Sequence, residues 1–312
     1  MRGRIFSMVW KMSGLNTDKI TAFVDIAKQA GHIALRDFKL GKPTLASVTY
    51  KNGGSPVTSA DIAVDTYLKK ACSEAFGDYG WFSEETVDTP HRLQKHQLII
   101  ADPIDGTRAY AAGNPHWCVS LAMIENGRPV LGCLYAPALE ELYIASIGGG
   151  ATLNGACLKL SSSSFKTENY KNAPVFGPKP MVDWLNTSLG LTLKMQPKVP
   201  SLALRLARIA VESDALGLEK LGLASENAHD WDIAAADIIL CEAGGQLLDF
   251  KGQKPVYNKP KPTHPPLFAA SNLFADYILD KSLNAGYEAM TADEAREKAA
   301  SAWTNGLIND FS

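Results

Sequence analysis

Residues 98–107 read Leu98-Ile99-Ile100-Ala101-Asp102-Pro103-Ile104-Asp105-Gly106-Thr107, an apolar run that opens onto two acids flanking a proline and an isoleucine. Four successive apolar residues bounded by a turn signal predict a strand over 98–101, buried on both faces. Pro103 has no N–H to donate and is expected to end the extended pairing there. A tight turn through Asp-Pro-Ile-Asp-Gly would aim the Asp102 and Asp105 carboxylates and the Ile104 carbonyl at one point. Hard divalent cations such as magnesium take oxygen ligands of this kind. Gly106 permits a close backbone approach, and a helix starting at Thr107 would offer its amides to a phosphate. The plainer reading of the same residues is a turn whose aspartates cap a helix.

Working outward, the upstream chain predicts a helix from Thr17, because Ile20, Phe23, Val24, Ala27, Ala30, Ile33 and Ala34 recur at helical spacing. Gly41, Pro43 and Gly53-Gly54-Ser55-Pro56 punctuate a stretch suited to a hairpin. A second helix is expected over 59–76, with Ile62, Tyr67, Leu68 and Ala71 inward. Downstream, strands are expected at 118–124 and 129–135 around the hairpin dipeptide Asn126-Gly127, and again at 142–146. Residues 161–180, with their serines and prolines, mark the expected boundary between lobes of about 16–172 and 173–285. Beyond it, helices are expected at 201–213, 231–243 and from 273. Strands are expected near 214–224, 246–250 and 267–270, and the Lys/Pro-rich 251–266 as a solvated loop. Residues 1–15 are expected to be a disordered extension, and 286–312 a tail with an amphipathic helix near 291–302.

Composition narrows the classes. Among 312 residues, 46% are apolar and 21% charged, which excludes wholesale disorder and fibrous architectures. Thirty-three acidic residues balance 31 basic ones, so no global positive field draws the chain to nucleic acid or anionic lipid. No apolar run approaches the roughly 18 residues of a membrane span. Five scattered cysteines without a CxxC pair argue against a disulfide framework or a structural zinc site. They fit a reducing compartment, and a cytoplasmic location is expected.

Three further acids stand in suggestive places: Glu84 in Trp81-Phe82-Ser83-Glu84-Glu85-Thr86, Asp61 after Val57-Thr58-Ser59-Ala60, and Asp232 in His229-Asp230-Trp231-Asp232. Taken singly, each reads as a strand end or a helix cap. Taken together they are harder to dismiss. If Glu84, Asp102, Asp105 and Asp232 converge, each close pair at ~4 Å and an effective dielectric of ~20 costs roughly 4 kcal/mol. Divalent cations would remove that repulsion.

The strings GSPVTSAD (54–61), WFSEET (81–86), DPIDGT (102–107) and HDWDIAAADIILCEAGG (229–245), in this order and spacing, resemble the inositol monophosphatase superfamily over about residues 16–285. That resemblance implies a layered α/β fold of the αβαβα sugar-phosphatase type, magnesium dependence, lithium sensitivity and a homodimer. It assigns Glu84, Asp102, the Ile104 carbonyl, Asp105 and Asp232 to metal ions. It assigns Asp61 and Thr107, with Glu84, to positioning and activating a water, and the Gly106 and Thr107 amides to the phosphate. Glu85 is expected behind the ligands.

Arg108, where many relatives carry asparagine, is placed to contact a second acidic group or to face solvent. Ser225 stands seven residues before Asp232, where inositol-selective members carry a glutamate, with Glu226 adjacent. Ser225 and Asp232 are thus the expected contacts to substrate hydroxyls. The implied function is a Mg2+-dependent phosphomonoesterase using metal-activated water, with inositol monophosphate first, adenosine 3',5'-bisphosphate second and histidinol phosphate third. A small phosphorylated molecule is the expected partner, with no membrane and no nucleic acid. The alternative from another class is a regulatory binding partner without turnover, which retention of a complete, mutually repelling acidic set argues against.

Overall fold

The chain enters its first helix at Asn16, whose side chain accepts from the Asp18 amide (2.6 Å) and so satisfies an otherwise orphaned donor. The computed structural model describes residues 15–51, 53–160, 170, 172–211 and 219–284. The expectations for 1–14 and 286–312, the 291–302 helix included, lie outside them. Helix α1 (Thr17–Leu35) buries the predicted apolar stripe. The expected hairpin is β1 (Val48–Tyr50) paired antiparallel with β2 (Pro56–Thr58).

Helix α2 (Ser59–Phe76) starts at a capping box formed by Thr58 and Asp61. Its inward face corrects the expectation. Ile62 is 49% exposed, Tyr67 and Ala71 are partly buried, and Asp61, Val64, Asp65, Leu68 and Cys72 face the interior. Asp61 and Asp65 both find hydroxyl partners on that face, so the apolar stripe is shared with acids.

The next strands, β3 (Gly80–Ser83) and β4 (Gln97–Asp105), pair in parallel. After the short helix α3 (Thr107–Ala111) come β5 (Cys118–Glu125), β6 (Arg128–Ala136), β7 (Glu141–Ser146), β8 (Gly150–Leu153) and β9 (Ala156–Leu158). From β4 onward each strand pairs antiparallel with the next, giving a seven-stranded sheet in the order β3 to β9. Strand β4 runs four residues past the predicted end at 101. Pro103 is tolerated because the register slips between the Asp102–Ser120 and Asp105–Cys118 pairs, so its missing N–H falls in a bulge. The acids therefore sit on an irregular strand end, not in a tight turn.

The second half supplies β10 (Pro174–Phe176), α4 (Lys179–Leu189), β11 (Lys194–Met195), α5 (Leu202–Ala207), β12 (Leu221–Ala224) and β13 (Ala228–His229). It continues with α6 (Asp230–Glu242), β14 (Gly245–Asp249), β15 (Thr263–His264), β16 (Leu267–Ser271) and α7 (Asn272–Asn284). Five of these strands form a mixed sheet in the order β11-β10-β12-β16-β14. Of the expected 161–180 boundary, 161–169 and 171 lie outside the described residues, and its end already holds β10 and the first turn of α4.

The helix expected at 201–213 is shorter. A 3-10 turn follows α5, and β-branched Val211 leaves in extended backbone. Residues 212–218 are outside the description. The expected solvated loop 251–266 is also corrected. Tyr257 within it is 2% exposed, and β15 pairs with β13.

Three apolar clusters define the layers. One joins α1 and α2 to one face of the seven-stranded sheet. A second joins α5 and α6 to the other face and to the inner face of the five-stranded sheet. A third places α4 and α7 outside that sheet. The order is αβαβα. Helix α6 is apolar almost all round because it lies between two sheets, and its alanines allow close approach.

Gly132 on β6 faces α6 so tightly that a Cβ would come within 2.6 Å of Ile238 and 2.8 Å of the Ala235 carbonyl. Gly132→Ala is expected to lose about 2 kcal/mol of unfolding free energy, read as a lower urea midpoint, the usual scale for overpacking; an unchanged midpoint would contradict this packing. No helix among the described residues is long and apolar enough to cross a membrane.

Candidate active site

Three acids meet where β4 ends and α6 begins. Asp102 and Asp105 come from the bulged end of β4, and Asp232 from the first turn of α6. One carboxylate oxygen from each lies within 4.8 Å of the others. Asp232 does both things the sequence allowed, since its Oδ2 accepts from the His229 amide (2.7 Å) as a helix cap while the group faces the other acids. Asp102 Oδ1 accepts from the Ile104 amide (3.0 Å). Asp105 is held by Ser201 Oγ (2.5 Å) and by the Ala203 (2.7 Å) and Leu202 (3.3 Å) amides at the start of α5.

Burial and like charge act together on these groups. Burial, then the charges of Glu84, Asp105, Asp232 and Asp61, push the Asp102 carboxyl well above the ordinary range. Burial and the Asp232 charge lift Asp105 to about 7, although its three hydrogen bonds oppose the rise.

Asp61, on the first turn of α2, completes the wall. Its Oδ2 accepts from the Thr58 amide (2.8 Å) and hydroxyl (2.6 Å), and its Oδ1 accepts from Thr107 Oγ1 (3.2 Å). Burial lifts its pKa to about 6 against the pull of the Thr58 bonds. Thr107 Oγ1 also reaches the Ile104 carbonyl (3.1 Å). Gly106, before Thr107, has φ +96°, and a Cβ there would meet the His116 carbonyl at 3.2 Å, so glycine is required twice over.

Glu84 follows β3 and is outside the three-carboxylate group. Its Oε1 is bound by Lys51 Nζ (2.9 Å), which also holds Glu85 (2.8 Å). Burial works against the Lys51 charge, but Glu85 and Glu84 outweigh it and leave its pKa raised. Burial lifts Glu85 to about 7 despite Lys51.

The remaining expected contacts are peripheral. Arg108 donates to the Gly54 carbonyl (3.0 Å) from an exposed position, and Ser225 is exposed just past β12. His229 stacks on Trp231, with ring centroids 4.5 Å apart.

Sequence reasoning missed Lys51, Ser201 as a partner of Asp105, and Asp65, which accepts from Ser83 Oγ and Thr86 Oγ1 and so braces the Glu84 strand end. Asp65 had a signal, an acid one helical turn after Asp61. Lys51 and Ser201 had none, because their partners lie 33 and 96 residues away.

The model of the inositol monophosphatase family matches residues 16–284. An inositol monophosphatase of Dictyostelium discoideum is 30% identical over 249 residues, 78% of this chain and 89% of that protein. A histidinol-phosphatase of Chlorobaculum parvum is 30% identical over 249 residues, 77% of this chain and 89% of that protein. Among solved structures, a Thermotoga maritima IMPase shares the fold with a TM-score of 0.69 at 24% identity, over 86% of this chain and 98% of its own. With these matches, the chain belongs to the inositol monophosphatase family, enzymes that hydrolyse phosphate monoesters.

Proposed function

We propose that the chain is a magnesium-dependent phosphomonoesterase preferring inositol monophosphate, with adenosine 3',5'-bisphosphate second and histidinol phosphate third. The observation that carries this reading is the meeting of Asp102, Asp105 and Asp232 within 4.8 Å beside the Thr107–Asp61 pair. The donor set fits a hard cation, being all oxygen and mutually repelling, with close hydrogen bonds supplied by amides and a hydroxyl. Asp102, the Ile104 carbonyl and Glu84 Oε2 would hold one ion, Oε1 staying on Lys51, and Asp105 and Asp232 would hold another. When bound, magnesium supplies Lewis acidity and neutralises phosphate charge.

The protein's own groups do the rest. Asp61 Oδ1 takes the Thr107 hydroxyl proton, leaving the threonine lone pairs to accept a hydrogen from the attacking water. Burial keeps Asp61 more basic than an ordinary carboxylate, so as water attacks phosphorus and the ester P–O bond breaks, a water proton passes to Thr107 and the Thr107 proton to Asp61, while the departing alkoxide is protonated from solvent. The Gly106 and Thr107 amides would bind the phosphate, and Asp232, with exposed Ser225 at the rim, would meet the polyol hydroxyls.

The test is phosphate release from inositol 1-phosphate, adenosine 3',5'-bisphosphate and histidinol phosphate with magnesium, with and without lithium. The expected result is the highest kcat/KM for inositol 1-phosphate and inhibition by lithium. Equal, feeble turnover of all three substrates would overturn the ranking.

A further inference from the structure

Asn258 uses its backbone N–H and both polar atoms of its side chain to join its own loop to two other parts of the fold. Its backbone N–H donates to Asp230 Oδ2 (2.9 Å), immediately before Trp231 and Asp232 on α6. Its Nδ2 donates to the Arg92 (3.1 Å) and Lys95 (3.3 Å) carbonyls in the connection between β3 and β4, and its Oδ1 accepts from Arg92 Nη1 (2.9 Å). Its φ of +58° is the left-handed conformation that asparagine tolerates best among residues with a side chain.

Both ends of this relay are buried. Asp230 is 0% exposed and accepts His264 Nε2 on its other oxygen (2.7 Å). Arg92 is 3% exposed, bonded to Asp88 (2.7 and 2.9 Å) and to the Lys259 carbonyl (3.0 Å), and its guanidinium lies 4.2 Å over the Phe82 ring. Phe82 in turn packs against Trp231 with centroids 5.1 Å apart.

Two routes, one hydrogen-bonded and one aromatic, thus connect the same two walls of the cleft. One wall is the β3 end that carries Glu84. The other is the α6 start that carries Asp232. None of Arg92, Asn258, Asp230 and His264 belongs to the acidic cluster. Asp232 must be held against the repulsion of Asp102 and Asp105 before any cation arrives, and a relay whose Arg92, Asp230 and His264 are buried, linked through half-buried Asn258, is suited to that task.

We propose that the Arg92–Asn258–Asp230–His264 relay is a positioning device that sets the divalent-cation affinity of the site by fixing Asp232 relative to the β4 acids. This rests on the metal-dependent reading above.

The test is calorimetric titration of MgCl2 into the metal-free full chain, alongside phosphate release as a function of magnesium. Asn258→Gly, which keeps the backbone conformation and removes the side chain, is expected to raise the magnesium midpoint about 10-fold in both, as loss of an outer partner typically does. The kcat at saturating magnesium is expected to fall much less. His264→Leu should behave alike, and His264→Gln, which restores a donor to Asp230, should recover most of the affinity. Glu242→Ala is the structural control. It removes a carboxylate bonded to the Gly148 and Gly150 amides (2.9 Å each) at the far end of α6 and should lower the melting temperature without moving the magnesium midpoint.

Midpoints within 2-fold of the parent for folded Asn258→Gly and His264→Leu would overturn the proposal, as would an equal rise in Glu242→Ala. If Asn258→Gly fails to fold, the His264 pair decides. A parent chain that binds no magnesium would instead refute the metal-dependent reading, and the relay proposal with it.

Discussion

Asp102→Asn is expected to lower phosphate release about 1000-fold while raising the melting temperature of the metal-free protein at neutral pH. The two effects have one cause. Asp102 stands at the centre of the cluster, where burial and four neighbouring acids oppose its charge. The amide keeps an oxygen for the Ile104 N–H and cannot ionise, so the apo fold is relieved of a buried carboxyl beside other acids without losing that bond. The same change removes an anionic ligand from the site. A Lewis acid contributes several kcal/mol to the transition state, and each 1.36 kcal/mol is about tenfold in rate. Melting curves in chelator, together with a phosphate-release assay, measure both. A folded variant with more than a tenth of the parental rate would remove Asp102 from the machinery. Loss of turnover with the cellular role intact would favour the binding-partner alternative.

The second large effect is on stability as a function of pH. Asp61 near 6, Asp105 near 7 and the strongly raised Asp102 all stand above their unfolded value of 3.8. A raised carboxyl favours folding fully below its unfolded pKa, and that contribution is lost as pH climbs through the folded pKa. Each tenfold separation of the two constants is worth about 1.4 kcal/mol. Metal-free protein is therefore expected to lose stability between about pH 4 and about pH 7, by several kcal/mol in all, or on the order of 10 °C in melting temperature for a chain of this size. Magnesium reverses the trend, because it binds only the folded cluster and binds it best when the acids are ionised. Thermal scans in chelator and in magnesium across that range test the linkage. Metal-free stability that rises over this range, or indifference to magnesium at pH 7, would show that the acids do not converge as described.

These expectations were partly open to reading from the chain alone, as particular residues show. The set Asp61, Glu84, Asp102, Asp105, Asp232 was legible through the resemblance of four short strings; local chemistry alone read each acid as a cap, a turn or a strand end. The layered fold followed from the same strings. Ile62 was misread because apolar periodicity assumes an apolar inner face, and here Asp61 and Asp65 occupy it for the site's sake. The 251–266 stretch was misread as solvent-facing because its lysines and prolines hide Tyr257 and Asn258, whose bonds are made to distant elements.

By itself, then, the chain marked each acid only as a cap, a turn or a strand end, and it was the order and spacing of the four strings, through their resemblance to a family, that implied a shared site. Tertiary structure alone decided what holds them in place. Lys51 on Glu84, Ser201 on Asp105 and Asn258 on Arg92 close across 33, 96 and 166 residues. Hydrogen bonds of that reach depend on how sheets and helices stack, and no periodicity or short motif encodes the stacking partner.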